Sequence, residues 1–284
     1  MNTHPHLIAL AAVAVLLVGG STTAQVAAPP TAPPAPGTPV WFDLLTEDGD
    51  AVIDFYTELF GWEMIVHRDG GWVIRHHGRL IGAISEIDGD DTRIEEGFWL
   101  VGIAVGDVDA AVETATQLGG KVDLGPETLA GFARYAVVLD LEDAPVLLVD
   151  PEADIGAGPR EGGFVWTELW SQNPSEAAAF YGEVIGYERR SIEVGGAPYV
   201  ALETGGEHRA GLVRAPLETI EPAWVPYVGV ASLDNVLARV GGLGGRVVVA
   251  PNAELGNGAM ALVADPEGAA FFVYQLGGIG EVRQ

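Results

Sequence analysis

The motif Trp41-Phe-Asp-Leu-Leu45, followed by Phe55-Tyr56 and Phe60-Gly61-Trp62, is the strongest indication of the fold, because a close variant of it recurs later in the chain. The second occurrence reads Trp166-Thr-Glu-Leu-Trp170, Phe180-Tyr181 and Ile185-Gly186-Tyr187. Equivalent residues, such as Trp41 and Trp166, are separated by a constant 125 positions. A constant offset indicates that two copies of one structural unit are fused head to tail.

Hydrophobic periodicity predicts the start of each copy. Residues 40–45 alternate as a strand, so Trp41 and Asp43 share one face while Phe42 and Leu44 share the other. A helix with apolar residues at helical spacing follows. In the second copy this helix is expected to have Asn173 as its cap and Pro174 at its first position.

The remaining elements complete two βαβββ modules per copy. In the first copy the first module ends with strands near 72–75 and 80–84. The second module has a strand at 100–105, a helix at 108–118 and further strands near 134–139 and 146–149. The predicted fold class is α+β.

The N-terminal residues resemble an export signal. Residues 1–24 contain an apolar run too short for a comfortable membrane span, and it ends in Ser21-Thr-Thr-Ala24, which suits cleavage. The alternative is an uncleaved anchor, because no lysine or arginine precedes the run. We expect a secreted or periplasmic protein. The other predicted segments are a Pro/Ala-rich linker without a fold of its own (25–37), a first domain (38–155), a Gly/Pro linker (156–163), a second domain (164–278) and a tail (279–284).

Composition limits the classes of partner. The formal net charge is −26 and Lys121 is the single lysine, so the chain repels nucleic acid and anionic membrane surfaces. A solvated acidic surface explains this charge most simply. Since the chain has no cysteine, its stability depends on packed cores and not on disulfides.

The paired βαβββ modules, the Phe-Tyr and Phe-Gly-Trp helix motif and the late Asp265-Pro-Glu-Gly268 together resemble the vicinal oxygen chelate superfamily. Glyoxalase I, bleomycin-resistance proteins and extradiol dioxygenases belong to that superfamily. The resemblance covers nearly all of residues 38–278, twice over. It implies two tandem domains, each a cup-shaped mixed sheet, but the chemistry has to be argued from the site.

The resemblance also implies where a metal would be held. Superfamily enzymes use His, Gln or Glu on the first and last strands of each module. In this chain those positions fall at Trp41, near Gly82, near Val101 and at Leu147, and in the second copy at Trp166, near Gly211, near Pro226 and at Phe272. None of these residues can donate to a metal, so we expect no metal site and no cofactor.

Aromatic residues dominate what remains in each cup. Such walls suit a flat or apolar organic ligand. The alternative is that these rings only fill the space left by metal and substrate. The expected ligand-binding residues are Trp41, Asp43, Trp99 and Leu147 in the first copy and Trp166, Glu168, Trp170, Trp224 and Phe272 in the second.

Asp43 and Glu168 are the candidate catalytic residues, because each follows a tryptophan by two positions and should face the cup. Burial would raise their pKa values, which suits a general base near neutral pH or a hydrogen bond to a ligand. The alternative is a carboxylate satisfied by strand backbone or by tyrosine hydroxyls.

Three functions are compatible with these features. The first is metal-free binding of a small organic molecule, as in the bleomycin-resistance branch. The second is a metal-dependent lyase, epimerase or dioxygenase that uses His76 or His208 with nearby carboxylates, although exposed turn histidines are the simpler expectation. The third is a structural or interaction module with plugged cups. Because both copies lie in one chain, we expect a monomer whose domains pair within the molecule.

Overall fold

The computed structural model describes residues 32–67, 71–87, 96–156, 160–194, 197–253 and 255–277. The predicted signal peptide, the first part of the Pro/Ala-rich linker and the C-terminal tail lie outside the described residues. No helix in the described ranges is long and apolar enough to cross a bilayer.

The first half follows the predicted order of elements. Its first module comprises β1 (Pro39–Thr46), α1 (Gly49–Phe60), β2 (Glu63–Val66), β3 (Trp72–His76) and β4 (Arg79–Glu86). Its second module comprises β5 (Phe98–Ala104), α2 (Val108–Gln117), β6 (Lys121–Leu129), β7 (Ala133–Leu139) and β8 (Pro145–Pro151).

The second half repeats this order. Its first module comprises β9 (Phe164–Ser171), α3 (Pro174–Ile185), β10 (Glu188–Val194), β11 (Ala197–Thr204) and β12 (Glu207–Arg214). Its second comprises β13 (Ala223–Val230), α4 (Leu233–Val240), β14 (Arg246–Val249), β15 (Met260–Ala264) and β16 (Ala270–Gln275). The predicted pair of βαβββ modules in each copy is confirmed.

Each half forms one mixed eight-stranded sheet, and the two sheets have the same topology. The strand order in the first is β2-β3-β4-β1-β5-β8-β7-β6. The central strands β1 and β5 are antiparallel, whereas β1 pairs with β4 and β5 with β8 in parallel. The modules therefore join edge to edge through their first strands, and the predicted α+β class with two tandem domains is confirmed.

Local sequence explains where the helices begin. The Asp48 carboxylate accepts a hydrogen bond from the Ala51 backbone N–H and caps α1, and Gly61 ends this helix with a left-handed backbone. Pro174 does begin α3 as expected, but the Asn173 side chain donates to Glu176 and does not cap the helix.

The two halves share a single apolar core between their helix-bearing faces. The rings of Phe42 and Phe164 stack with their centroids 3.8 Å apart, and Trp62 stacks on Tyr56 at 5.0 Å. The indole Nε1 of Trp62 also donates to the carbonyl of Gly162, in the segment that joins the copies. The halves therefore contact each other through buried side chains, whereas the monomeric state stays a prediction.

The end of the Pro/Ala-rich linker is bound to both halves. The Gly37 N–H donates to the Ala104 carbonyl of the first half, while the Gly37 carbonyl accepts from the Tyr187 hydroxyl of the second at 2.6 Å. Thr204 donates to the Pro36 carbonyl. The expectation of a spacer without structure is therefore wrong for Pro36 and Gly37, because their backbone groups find partners on both halves.

Candidate functional site

The sheet face opposite the helices forms a concave cup in each half. Strand alternation places Trp41 and Asp43 of β1 in the first cup, where Trp41 belongs to an apolar cluster separate from the main core. Trp166 and Glu168 of β9 take the equivalent positions in the second cup. Both candidate carboxylates thus lie on the cup side of their strands.

The first cup is closed by its own side chains. Trp41 is 3% exposed, and Phe132 packs edge-on against it with ring centroids 5.0 Å apart. Phe132 lies on the turn between β6 and β7, and its carbonyl is held by the backbone N–H groups of Glu152 and Ala153. Aliphatic residues such as Leu147 complete the cluster. Among the described residues of this cup, the apolar side chains pack against one another.

Asp43 is buried inside this closed cup, with 1% exposed. Its Oδ1 accepts a hydrogen bond from the Trp41 indole at 3.1 Å, but its Oδ2 is buried without a hydrogen-bond partner among the described residues. Burial raises the pKa of Asp43 to about 7, and the bond from Trp41 only partly counteracts this. A carboxylate so enclosed is costly to ionise and is poorly placed to reach a substrate.

The second cup is lined by more aromatic side chains and is more open. Trp166, Glu168 and Trp170 are each partly exposed. The rings of Tyr227 and Phe272 stack at 4.5 Å with an interplanar angle of 23°, and Trp170 approaches Phe272 edge-on at 6.0 Å. Of these rings, Tyr227 and Trp170 also approach Glu168.

A chain of hydrogen bonds orients Glu168. The Trp166 indole donates to the Tyr199 hydroxyl at 3.0 Å, and that hydroxyl donates to Glu168 Oε1 at 2.7 Å. Burial raises the pKa of Glu168, while the polar groups of Tyr227, Tyr199 and Trp170 oppose this shift. The pKa values of Tyr199 and Tyr227 are raised by burial and by the nearby Glu168, so both hydroxyls remain protonated donors.

Gly211 makes this arrangement possible. It pairs with Glu168 on the neighbouring strand, and a Cβ at this position would lie well inside the van der Waals radius of the Tyr199 hydroxyl. Without a side chain at Gly211, the ring of Tyr199 can cross β12 and reach Glu168 on β9.

The cups differ because equivalent positions carry different residues. Trp170 corresponds to Leu45, Tyr227 to Gly102 and Phe272 to Leu147 at the constant offset. At the same offset, the position of Phe132 is taken by Asn257, which cannot supply an aromatic plug. The second cup is therefore built from larger rings around an opening that Phe132 closes in the first.

Two of the expected ligand-binding residues lie outside the cups. Trp99 pairs with Leu44 and packs edge-on against Tyr56, and Trp224 pairs with Leu169 and donates to the Tyr181 hydroxyl. Both tryptophans therefore lie on the helix side and belong to the main core. The prediction that they line the cups is wrong, because the register of β5 and β13 turns them to the opposite face.

Three of the inferred metal-ligand positions also need correction. Gly82 and Val101 pair with Phe42, and Pro226 pairs with Thr167, so all three lie on the helix side. The cup-facing residues on these strands are Ala83, Gly102 and Tyr227.

The corrected positions do not fit a divalent metal. Of the eight residues, only Tyr227 carries a potential donor atom, the oxygen of a phenol with a raised pKa. Within the described ranges, no three His, Asp or Glu side chains are grouped so as to hold a metal ion. The residues offer no imidazole or carboxylate set of the kind that the superfamily enzymes use.

The histidines lie elsewhere, and while His77 is exposed as expected, other histidines are less exposed. His67 and His76 are buried, and His76 Nε2 lies 2.8 Å from the Glu161 carbonyl. His76 lines a cleft of about 570 Å³ between the halves, together with His77 and Arg239. His208 Nε2 lies 3.0 Å from Glu203 at the far end of β11 and β12. Neither His76 nor His208 is placed in a cup.

Sequence reasoning missed Tyr199 and Tyr227. Tyr227 was missed because the cup-facing position of β13 was assigned one residue away, near Pro226. Val225 and Tyr227 alternate on the face that pairs with Glu168 and Trp166, and this alternation was the available signal. Tyr199 reaches Glu168 from two strands away, and no local pattern indicates such a contact.

Comparison with known families matches this architecture in both halves. Residues 38–145 match the model of the glyoxalase/bleomycin resistance protein/dioxygenase superfamily, and residues 166–274 match that of the glyoxalase-like domain. The chain belongs to this superfamily, as the resemblance indicated.

Similar proteins span nearly the whole chain. CFP32 of Mycobacterium bovis, provisionally named a glyoxylase, is 32% identical over 84% of this chain and 94% of its own length. The anthracycline biosynthesis protein DnrV of Streptomyces peucetius is 30% identical over 85% of this chain and 94% of its own length.

Solved structures share the fold at lower identity. The Mn(II)-bound glyoxalase of Novosphingobium aromaticivorans is 17% identical with a TM-score of 0.63, covering 85% of this chain and 82% of that one. The 2,3-dioxygenase LapB of Pseudomonas sp. KL28 is 14% identical with a TM-score of 0.60, covering 87% and 95% respectively. At these identities the likeness shows the fold alone.

Proposed function

We propose that this protein is an exported, metal-free member of the superfamily that binds a small organic molecule in its second cup. The observation that carries the proposal is the contrast between the cups. The first is closed over Asp43 by Trp41 and Phe132, whereas the second presents partly exposed tryptophans around an oriented carboxylate, Glu168. Aromatic walls with few polar groups suit recognition of an organic ligand.

The residues at the inferred metal-ligand positions support a metal-free site. Each cup places apolar or small residues at the positions where relatives would hold an ion, and Tyr227 alone adds a phenol. A divalent ion coordinated mainly by indole and phenyl walls would be poorly satisfied. A metal-dependent reaction through His76 or His208 is disfavoured, because neither side chain reaches a cup.

The first cup has a structural role in this proposal. Its buried cluster joins the face of the first sheet to the turn that carries Phe132. The third alternative, a module with plugged cups, thus describes the first half but not the second. We further propose that the protein is a monomer, since the buried contacts between its halves involve the faces on which single domains would pair.

The relatives support an organic ligand. DnrV is named for anthracycline biosynthesis, and CFP32 carries a provisional glyoxylase name. Both are about as long as this chain and match it over both halves. We carry over from them only the class of ligand, a small organic molecule.

A second candidate function is proton transfer catalysed by Glu168. The hydrogen bonds from Trp166 to Tyr199 and from Tyr199 to Glu168 orient one oxygen of Glu168, and burial raises the pKa of Glu168 above its ordinary value, which makes the carboxylate a stronger base. Glu168 would accept a proton from a bound substrate, while Tyr227 stays protonated and donates a hydrogen bond.

Native mass spectrometry of the protein purified from its own cells tests the proposal. We expect a co-purifying organic mass and no stoichiometric metal in the wild type. The organic mass should be lost in Trp166→Phe but kept in Trp41→Phe, the matched change in the first cup. Stoichiometric divalent metal that survives dialysis, or equal loss of the organic mass in both variants, would contradict the proposal.

A further inference from the structure

We infer that the ligand of the second cup carries a cationic amine, either protonated or quaternary, which binds among the aromatic rings beside Glu168. This inference rests on the proposed function and adds the chemical class of the ligand. It follows from the kind of rings present, from the lack of a counter-charge for Glu168 and from the charge of the whole chain.

The first observation is the identity of the cup walls. Tyr199, Tyr227 and Trp170 approach the Glu168 carboxylate in the second cup, while Trp166 donates to Tyr199 and Phe272 packs against Tyr227 and Trp170. The faces of aromatic rings carry negative potential, and tryptophan and tyrosine attract ammonium groups most strongly. Several such rings around one site are the arrangement that proteins use for choline and methylated lysine.

The second observation is that Glu168 has no positively charged partner among the residues that the structure describes. The described residues form no ion pair with Glu168, and its polar neighbours are the neutral groups of Tyr199, Tyr227 and Trp170. A partly buried carboxylate without a counter-ion is costly to ionise, and an organic cation in the cup would lower that cost. The Tyr199 hydroxyl donates to Oε1 at 2.7 Å, and the polar groups of Tyr227 and Trp170 also approach this carboxylate, so every neighbour that stabilises it is neutral.

The first cup provides an internal comparison. Asp43 is equally without a positive partner among the described residues, but its surroundings are Leu45, Gly102 and Leu147 in place of the three rings of the second cup. Trp41 donates directly to Asp43 and fills the space beside it. The rings and the accessible carboxylate therefore occur together in the second cup, which is the combination that a cation site requires.

The third observation concerns the field of the whole molecule. A formal charge of −26 attracts organic cations to the surface and raises their local concentration. Organic anions, including phosphate and carboxylate metabolites, would meet a repulsive field and no cationic side chain in the described part of the second cup.

The experiment compares two probes of the same shape in metal-stripped, full-length protein. 3-Hydroxyphenyltrimethylammonium is a cation, and 3-tert-butylphenol is its neutral carbon isostere. Isothermal titration calorimetry at pH 7.5 should show that the cation binds at least about tenfold more tightly than the isostere. In Glu168→Gln this preference should fall to less than about threefold, mainly through weaker binding of the cation.

The outcomes separate the two proposals. Equal binding of both probes, lost in Trp166→Phe but not in Trp41→Phe, would overturn the cation inference and leave the second cup as the binding site. Failure of both probes to bind at millimolar concentration would overturn the inference and count against the proposed function. A Glu168→Gln protein that keeps the cation preference would also overturn the inference, and its circular dichroism spectrum would establish that it is folded.

Discussion

The Tyr56 hydroxyl donates a hydrogen bond to Asp265 Oδ2 at 2.8 Å, although 209 positions separate the two residues. In the equivalent pair, the hydroxyl of Tyr181 in the second half donates to Asp140 Oδ2 in the first half at 3.0 Å. In each aspartate the second oxygen accepts the backbone N–H groups of its own turn. The fused copies are therefore held together by a reciprocal pair of buried bonds, related by the same offset that reveals the duplication.

Replacing either tyrosine should weaken the contact between the two halves. Tyr56→Phe and Tyr181→Phe each remove a hydrogen bond to a buried carboxylate, and we expect each to lower the free energy of unfolding by about 1.5 to 3 kcal/mol. Urea denaturation followed by tryptophan fluorescence would measure the change. Tyr135→Phe is the control, because the bond of Tyr135 to Glu127 is only partly buried and its loss should cost less than about 1 kcal/mol. Equal losses of unfolding free energy in all three variants would show that the two buried tyrosine–aspartate bonds have no special role in stability.

Asp43 should make stability depend on pH. Its pKa is about 7 in the folded protein, against an ordinary value of 3.8. Between these values the folded state binds more protons than the unfolded state, so ionisation of Asp43 destabilises the fold as the pH rises. Asp43→Asn should remove this dependence. Relative to the wild type, the variant should gain about 4 kcal/mol in unfolding free energy between pH 4 and pH 8.

Chemical denaturation of both proteins at several pH values would measure that difference. Comparing the two proteins at each pH cancels the titration of the other carboxylates, including Asp265, whose pKa burial raises to about 6. The amide that the substitution introduces keeps an acceptor oxygen for the Trp41 indole, so the hydrogen bond is preserved. A difference that stays constant across this pH range would show that folding does not shift the pKa of Asp43.

A substitution at Gly211 tests the hydrogen bonds that run from Trp166 through Tyr199 to Glu168. Gly211→Ala would place a Cβ against the Tyr199 hydroxyl and within 2.8 Å of Glu168 Cγ, so Tyr199 would have to leave Glu168. We expect the affinity for 3-hydroxyphenyltrimethylammonium to fall about tenfold or more, a loss comparable to about 1.4 kcal/mol. Gly241→Ala is the matched control, because nothing lies within 4 Å of its Cβ position. Unchanged affinity in Gly211→Ala would argue against a role for Tyr199.

The affinity for the cationic probe should rise with pH. The ionised form of Glu168 attracts the ammonium group, and burial makes ionisation harder in the free protein. Its titratable neighbours, Tyr199 and Tyr227, stay protonated in the range concerned because their pKa values are raised. Calorimetry between pH 5 and pH 8 should show that the affinity for the cation rises, by no more than about tenfold per pH unit. The affinity for 3-tert-butylphenol should not rise. Parallel curves for the two probes would mean that Glu168 does not titrate on binding.

The fold could be predicted because its signal is periodic and occurs twice. Alternation in β1 assigned Trp41 and Asp43 to one face, and the repeat at Trp166 and Glu168 gave an independent check. The same reasoning failed for Trp99 and Trp224, because no polar residue in β5 or β13 marks which face is concave. Both tryptophans lie one residue away from positions that do face the cup.

The difference between the two cups could not be predicted from the sequence. The plug in the first cup is Phe132, which comes from a turn distant from Trp41 in sequence, and the chain of hydrogen bonds in the second depends on Tyr199 crossing a neighbouring strand above Gly211. These contacts join separate strands of the sheet, so local spacing does not reveal them. The anchored end of the linker, at Pro36 and Gly37, depends in the same way on partners supplied by both halves.

The position of a bound cation can be observed in a crystal structure of the protein with 3-hydroxyphenyltrimethylammonium, with anomalous scattering data to locate any metal. We expect the probe to lie in the second cup with its ammonium group beside Glu168 and its ring against Trp170 or Phe272, and we expect Trp41 and Phe132 still to close the first cup. A probe in the first cup or in the cleft beside His76, or a metal ion coordinated by protein atoms within either cup, would contradict these expectations.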